Sequence, residues 1–171
     1  MRGEEASVPR VAYLDGALEL MSPSYDHNLI TANIGRLVEA YALEHGIDLQ
    51  PLLNWTLRSA PKAAGLEPDE CYVIGVRSTR PTRPDLAIEV VWTHGGIDKL
   101  EIYRRLEVPE VWFWQEGTIR VYVLRGSKYE SVPRSEQLPN LDLPLLTSFL
   151  DRTPVTLAIR EYRAALRARS R

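Results

Sequence analysis

The sequence predicts an α/β domain in which a mixed β-sheet is flanked by helices. Two apolar runs, 70–76 and 85–92, are rich in β-branched residues and predict neighbouring strands. Apolar residues recur with helical spacing from Leu29 to Tyr41, which predicts a long helix packed on the sheet. Further strand and helix patterns follow along the chain. An α+β arrangement around one mixed sheet fits the same order of elements.

Composition and length indicate one globular domain. The chain has 171 residues, of which 44% are hydrophobic, with 21 Lys and Arg against 23 Asp and Glu. We expect residues 1–152 to form the domain and 153–171 to add a basic helix to it. The single cysteine, Cys71, lies in an apolar run and predicts a buried thiol in a reducing cytoplasm. We expect neither a signal peptide nor a membrane span.

The first elements are a hairpin and a helix. The apolar stretches on either side of Asp15-Gly16 predict a hairpin, because this dipeptide suits a tight turn. Ser24 or Asp26 can cap the helix that follows, and Gly46 is placed to end it. His27, near the helix start, could donate to a carboxylate or a phosphate, although capping or packing is the commoner role of such a histidine.

The middle of the chain predicts strands with one loop. Residues 47–57 are expected to be extended, and Ser59 to Gly65 to form a loop. The runs 70–76 and 85–92 are expected to pair as a hairpin that turns near residue 80.

The last third predicts a helix, more strands and a final helix. A short helix begins near Asp98 and ends before Pro109. Strands are expected at 111–114, 119–124 and 129–132. The tail from Thr153 onward has an apolar side and an arginine-rich side, which is typical of an amphipathic helix.

Glu89 is the most informative candidate for chemistry. Side chains alternate along a strand, so Asp85 and Glu89 share one face while Leu86, Ile88 and Val90 point to the other. A charge within an apolar strand is costly unless it is paired, hydrated or bound to a cation. The pattern therefore favours a functional role for Glu89.

Asp69 is the expected partner of Glu89. Asp85 is about 13 Å along the strand from Glu89, too far for both to bind one ion. A hairpin turn near residue 80 instead brings Asp69 close to Glu89, and two neighbouring carboxylates suit a hard cation such as Mg²⁺. Each Asp follows a proline, however, and a turn residue is an equally good explanation of either. On spacing alone, Lys99 is an ordinary surface lysine.

Other catalytic motifs are absent from the sequence. The histidines match no zinc-binding spacing, and no phosphate-binding glycine loop or G-x-S-x-G nucleophile motif occurs.

Five segments carry a family resemblance in order: DGALELMSPSYDHNLI, GLEPDECYVI, RPDLAIEV, IDKLEIYRRLEVPEVWFW and IRVYVL. The chain resembles the bacterial restriction endonuclease-like proteins of the PD-(D/E)XK nuclease superfamily. The resemblance covers most of the chain, from Tyr13 to Leu150. It implies a restriction endonuclease-like core of helix, three-stranded antiparallel unit, helix and strand.

The resemblance also implies an active site. Asp69 and Glu89 match the residues that bind Mg²⁺, with Mn²⁺ as an alternative, and Asp85 matches an accessory acid. The usual superfamily lysine would fall at Val91, and Lys99 on the next helix matches the lysine of relatives in which it has moved. The implied catalytic set is therefore Asp69, Asp85, Glu89 and Lys99.

The implied function is Mg²⁺-dependent endonucleolytic cleavage of DNA, with the target sequence open. Candidate phosphate contacts are Arg77, Arg80 and Arg83 of the hairpin loop and the arginines of the tail, although both sets also fit a solvated surface. The missing lysine at Val91 leaves a second hypothesis, an inactive nuclease-fold module that binds nucleic acid or a protein. Assembly into a homo-oligomer is a further expectation.

Overall fold

The computed structural model describes residues 9–53, 55–91 and 96–169. The strands are β1 Arg10–Leu14, β2 Ala17–Met21, β3 Leu49–Pro51, β4 Leu57–Ser59, β5 Ala64–Leu66, β6 Glu70–Ile74, β7 Leu86–Val90, β8 Glu110–Gln115, β9 Thr118–Arg125 and β10 Lys128–Val132. The helices are α1 Tyr25–His45, α2 Lys99–Arg105, α3 Leu143–Thr147 and α4 Val155–Arg169. No helix in these ranges is both long and apolar enough to cross a membrane.

A mixed six-stranded sheet forms the centre of the domain, with strand order β10-β9-β8-β7-β6-β3. β7 and β8 are parallel, and α2 lies between them in the chain, because a parallel pair needs a crossover connection. The other neighbours are antiparallel. These pairings confirm the predicted mixed sheet and the hairpin of β6 and β7. The end of the predicted second strand, Trp92, lies outside the described residues.

A second sheet of four strands, in the order β2-β1-β5-β4, was not expected from the sequence. The predicted hairpin supplies β1 and β2, with Asp15 at φ 48° and Gly16 at φ 89° in the turn. The expectation of a single sheet was wrong. The sequence did not indicate β4 and β5, because strands of three residues are too short to show an alternating pattern. They also show that the loop predicted from Ser59 to Gly65 is shorter, since both of its ends are in strands.

Helix α1 begins and ends where the sequence indicates. The Ser24 side chain accepts a hydrogen bond from His27 N, and Gly46 has the left-handed φ of 63° that suits a helix C-terminus. Among the described residues of the predicted extended segment 47–57, the strands are β3 and the start of β4. Helix α3 was not predicted, because five residues are too few to show a helical period.

The six-stranded sheet is covered on both faces. One core packs α1, α3 and α4 against Leu86, Ile88 and Val90 of β7. The other packs the four-stranded sheet and α2 against Ala87. Every residue of β7 is buried, so the predicted alternation places Glu89 on the face that carries α2 and the small sheet.

The tail helix α4 is joined to α1 by both apolar and ionic contacts. Tyr162 and Leu166 lie in the core, and Glu44 of α1 accepts hydrogen bonds from Arg163 and Arg167. These arginines therefore hold two helices together. The boundary between 152 and 153 stays a prediction, and residues 170–171 of the tail lie outside the described part.

Glu110 at the start of β8 generates the first testable prediction. Its buried carboxylate accepts hydrogen bonds from Trp112 Nε1 at 2.6 Å, Ser135 Oγ at 2.5 Å and the backbone amides of Glu136 and Gln137. Glu110→Ala leaves these donors without an acceptor, so we expect the free energy of unfolding to fall by about 3 kcal/mol.

Urea unfolding followed by tryptophan fluorescence measures this change. Glu130→Ala, at an exposed position of β10, is the control and should change the free energy of unfolding by less than about 0.5 kcal/mol. Equal stability of the two variants would contradict an anchoring role of Glu110.

Candidate active site

Glu89 is fully buried in the middle of β7, and its carboxylate is paired through both oxygens. Lys99 Nζ donates to Oε2 at 2.5 Å, and the Tyr103 hydroxyl donates to Oε1. Both partners come from α2, where Lys99 and Tyr103 are one helical turn apart and share a face. The Asp98 side chain caps this helix by accepting from Glu101 N, which fixes the start of the turn that carries Lys99.

Asp69 lies directly before β6, the strand that pairs with the Glu89 strand β7. β6 and β7 pair with Glu70 opposite Ile88, and one further step of this register places Asp69 opposite Glu89. Asp69 Oδ2 accepts a hydrogen bond from Val90 N at 2.8 Å, which fixes the carboxylate against β7. The predicted proximity of the two carboxylates is present in the structure.

Asp69 also has cationic or polar neighbours from two other elements. Arg10 Nε of β1 is 3.3 Å from Oδ1, and His27 Nε2 of α1 is 3.2 Å from Oδ2. The Arg10 guanidinium also donates to the Pro68 carbonyl at 2.6 Å. The N-terminal hairpin and α1 are thus both held at the carboxylate pair.

The electrostatics of the cluster favour ionised Asp69 and resist ionised Glu89. Burial raises the pKa of Asp69, but His27, Lys99 and Arg10 outweigh burial and the pKa is lowered overall. Burial raises the pKa of Glu89, and the attraction of Lys99 does not fully offset it. Burial lowers the pKa of Lys99, whereas Glu89 and Asp69 raise it and prevail. The lysine is therefore held in its charged form.

The carboxylate pair fits a hard divalent cation. Both donors are oxygens, and Asp69 Oδ1 has no hydrogen-bond partner among the described residues. Within 9–53, 55–91 and 96–169, no group of three His, Cys, Asp or Glu side chains is arranged to hold a metal. Mg²⁺ is commonly held by one or two carboxylates together with water and substrate phosphate, so two acids suffice for this ion.

Asp85 does not contact the other three residues of the predicted set. Its carboxylate accepts from Ile74 N at 2.8 Å and from Arg77 at 2.7 Å, so it closes the open end of the β6–β7 hairpin. This is the turn role that the sequence left open for it. The four-residue offset from Glu89 keeps Asp85 about 13 Å away along β7.

Arg10 and Tyr103 were not predicted as site residues. Tyr103 could have been found from its spacing, since it lies four residues after Lys99 on the same helix face. Arg10 could not, because its approach to Asp69 depends on how the second sheet packs.

An open cleft of about 490 Å³ adjoins Lys99. β2 and the start of α2 form one side of it, and β7, β8 and β9 form its floor. Glu19 of β2 accepts from the amides of Gly96 and Ile97 at 2.8 and 3.1 Å, which ties the hairpin to the start of α2. A substrate in this cleft would lie beside the lysine.

The mixed sheet, its flanking helices and the carboxylates beside a lysine together define a restriction endonuclease-like fold. Residues 2–156 match the Uma2 family, described as "Putative restriction endonuclease", and the chain belongs to this family. A solved structure of a nuclease described as putative, from Anabaena variabilis, is similar at a TM-score of 0.53 and 16% identity over 90% of each chain. This likeness supports the fold alone. No curated protein matches the chain.

Tyr103→Phe tests how Glu89 is held. Losing the hydroxyl removes a donor from a buried carboxylate, so we expect the free energy of unfolding to fall by about 1–3 kcal/mol at neutral pH. The hydroxyl stabilises the ionised form of Glu89. The pKa of Glu89 is raised from 4.5, so the loss should shrink as the pH falls through this raised pKa.

Urea unfolding, repeated from neutral pH down through the raised pKa of Glu89, measures how much free energy of unfolding Tyr103→Phe loses at each pH. Tyr162→Phe is the matched control, because the Tyr162 hydroxyl is also buried but has no hydrogen-bond partner among the described residues. A loss that stays constant with pH would show that the hydroxyl does not act through the charge of Glu89.

Proposed function

We propose that this protein is a Mg²⁺-dependent endonuclease that hydrolyses phosphodiester bonds in DNA. The observation that carries the proposal is the convergence of Asp69, Glu89 and the Lys99 ammonium from β6, β7 and α2. Family membership supports a nuclease in general. The oxygen donors and the open cleft beside Lys99 support the metal and the polymeric substrate.

In the proposed hydrolysis, the residues of the site have different roles. When bound, Mg²⁺ would polarise the phosphate and lower the pKa of a water molecule, with Mn²⁺ as a substitute ion. Asp69 and Glu89 would supply carboxylate oxygens, and the Tyr103 hydroxyl keeps Glu89 oriented. The charged Lys99 would orient the attacking water or stabilise the negative charge that develops on the phosphate.

Many of the basic residues suggested as DNA contacts are engaged within the protein. Arg77 pairs with Asp85, Arg83 with Glu107, and Arg169 with Asp142. Such exposed pairs can open to meet a phosphate, since they are individually weak. We therefore propose that its affinity for DNA is modest and sensitive to salt. We also propose that the protein is cytoplasmic and that it can associate with its own copies.

The second candidate is a noncatalytic module that binds nucleic acid or a protein. It is favoured by Val91, which occupies the usual lysine position, and by the direct 2.5 Å contact of Lys99 with Glu89. In that case the lysine would serve as a permanent counter-ion and no divalent cation would bind.

Cleavage of DNA tests the first candidate. With Mg²⁺, we expect the wild type to convert supercoiled plasmid to nicked or linear forms. Glu89→Ala, Asp69→Asn and Lys99→Ala should each lower the rate by about 100-fold or more, because each removes charge at the reacting phosphate.

Asp151→Asn is the control, since Asp151 is exposed and lies outside the cluster. Its rate should equal that of the wild type. Circular dichroism shows whether the variants are folded. Full activity of folded Glu89→Ala would refute the assignment of the site.

Metal binding separates the two candidates without any substrate. A cation that binds only the folded state raises the thermal midpoint as its concentration rises. We expect Mg²⁺ and Mn²⁺ to raise the midpoint of the wild type but not that of Glu89→Gln. An unchanged midpoint of the wild type, with no heat in calorimetric titration, would favour the noncatalytic module.

A further inference from the structure

The cleft beside Lys99 contains a second cation, Arg120 of β9. The charged residues that line the described part of the cleft are Lys99, Arg120, Glu19 and Asp98. Both acids are engaged with backbone amides, Glu19 with Gly96 and Ile97 and Asp98 with Glu101. Lys99 is engaged with Glu89. Of these four residues, Arg120 is the one whose side chain has no ion pair or hydrogen bond with the described residues.

Arg120 differs from most arginines of the chain. Within residues 9–53, 55–91 and 96–169 its side chain makes no ion pair and no hydrogen bond, and it is exposed. By contrast, Arg125 at the end of the same strand pairs with Glu136. A guanidinium left unpaired in a concave site keeps its donors available for a bidentate contact with a phosphate.

The sheet register places Arg120 in line with the carboxylates. Glu89 of β7 is aligned with Phe113 of β8, and Phe113 is aligned with Arg120 of β9. Aligned residues of neighbouring strands point to the same face, and two strand spacings amount to about 10 Å. A duplex strand advances about 3.4 Å per nucleotide, so Arg120 can meet a phosphate within about three nucleotides of the site.

Aromatic side chains line the same cleft as Lys99 and Arg120. Phe113 and Tyr122 both line the cleft, with ring centroids 5.7 Å apart and planes at 87°. Both are only partly buried, so part of each ring faces the cleft. An aromatic ring beside a cation that can bind phosphate offers a stacking surface for a base.

We propose that this cleft is a nucleotide subsite, in which Arg120 binds a phosphate within about three nucleotides of the scissile one and Phe113 and Tyr122 contact the base of that nucleotide. The subsite rests on the proposed nuclease function and deepens it. It gives the enzyme a means of holding a strand whose base is accessible for stacking, and it makes Arg120 a positioning residue.

The phosphate contact is tested by fluorescence anisotropy with a labelled single-stranded oligonucleotide. Ca²⁺ replaces Mg²⁺, and gels confirm that the strand remains intact. Arg120→Ala should weaken binding about tenfold and lower the salt slope by about one. Arg160→Ala, which removes an exposed arginine of α4, is the matched control and should bind like the wild type.

A scan with single methylphosphonates locates the phosphate. At one position, removing the phosphate charge should weaken the wild type about tenfold and leave Arg120→Ala unchanged. The base contact is tested with an abasic nucleotide at each position. At one position it should weaken the wild type about tenfold but have little effect on Phe113→Leu.

Each result decides the proposal. Coupling of Arg120 to one phosphate, together with wild-type binding by Arg160→Ala, supports the subsite. Equal binding by Arg120→Ala and the wild type overturns it, as does a wild type that binds no strand. Coupled binding without Mg²⁺-dependent cleavage would support the subsite while refuting the endonuclease function, so the two failures are distinguishable.

Discussion

The burial of two carboxylates side by side is the constraint around which this domain is organised. Asp69, directly before β6, is 4% exposed, and Glu89 in the neighbouring β7 is fully buried in the interior of a layered fold. Ionised groups in such a place require opposite charge and hydrogen bonds. Three further elements supply these partners: β1 supplies Arg10, α1 supplies His27, and α2 supplies Lys99 and Tyr103. β7 itself supplies the Val90 amide.

This requirement explains the position of the second sheet. Without the second sheet, Asp69 would lose its contact with Arg10, and the core on the Glu89 face of β7 would lose one of the layers packed against it. The four-stranded sheet brings Arg10 to Asp69, and its β2 strand carries Glu19 to the start of α2. The same sheet therefore covers the carboxylate pair through β1 and forms one side of the cleft through β2.

The sequence predicted most of the central sheet because its strands are long, apolar and separated by clear turns. Glu89 was identified without knowing which strands lie beside β7, since a charge within an apolar strand has no local explanation. Asp69 followed from the hairpin turn expected near residue 80, which brings it close to Glu89, as the register of β6 and β7 does. Asp85 shows the limit of this reasoning: it has the same Pro-Asp pattern as Asp69, and only tertiary contacts separate a hairpin residue from a candidate metal ligand.

The residues that the sequence did not identify share a different property. The place of Arg10 depends on how the second sheet packs, and that of Arg120 depends on the alignment of three strands. Likewise, the chain's formal charge of −2 says little about how it meets a polyanion. Arginines such as Arg163 and Arg167 join two helices through Glu44, which offsets part of their positive charge at a distance. Under the proposed function, a phosphate approaching the cleft would instead be attracted by Arg120, whose unpaired state is set by local geometry and not by composition.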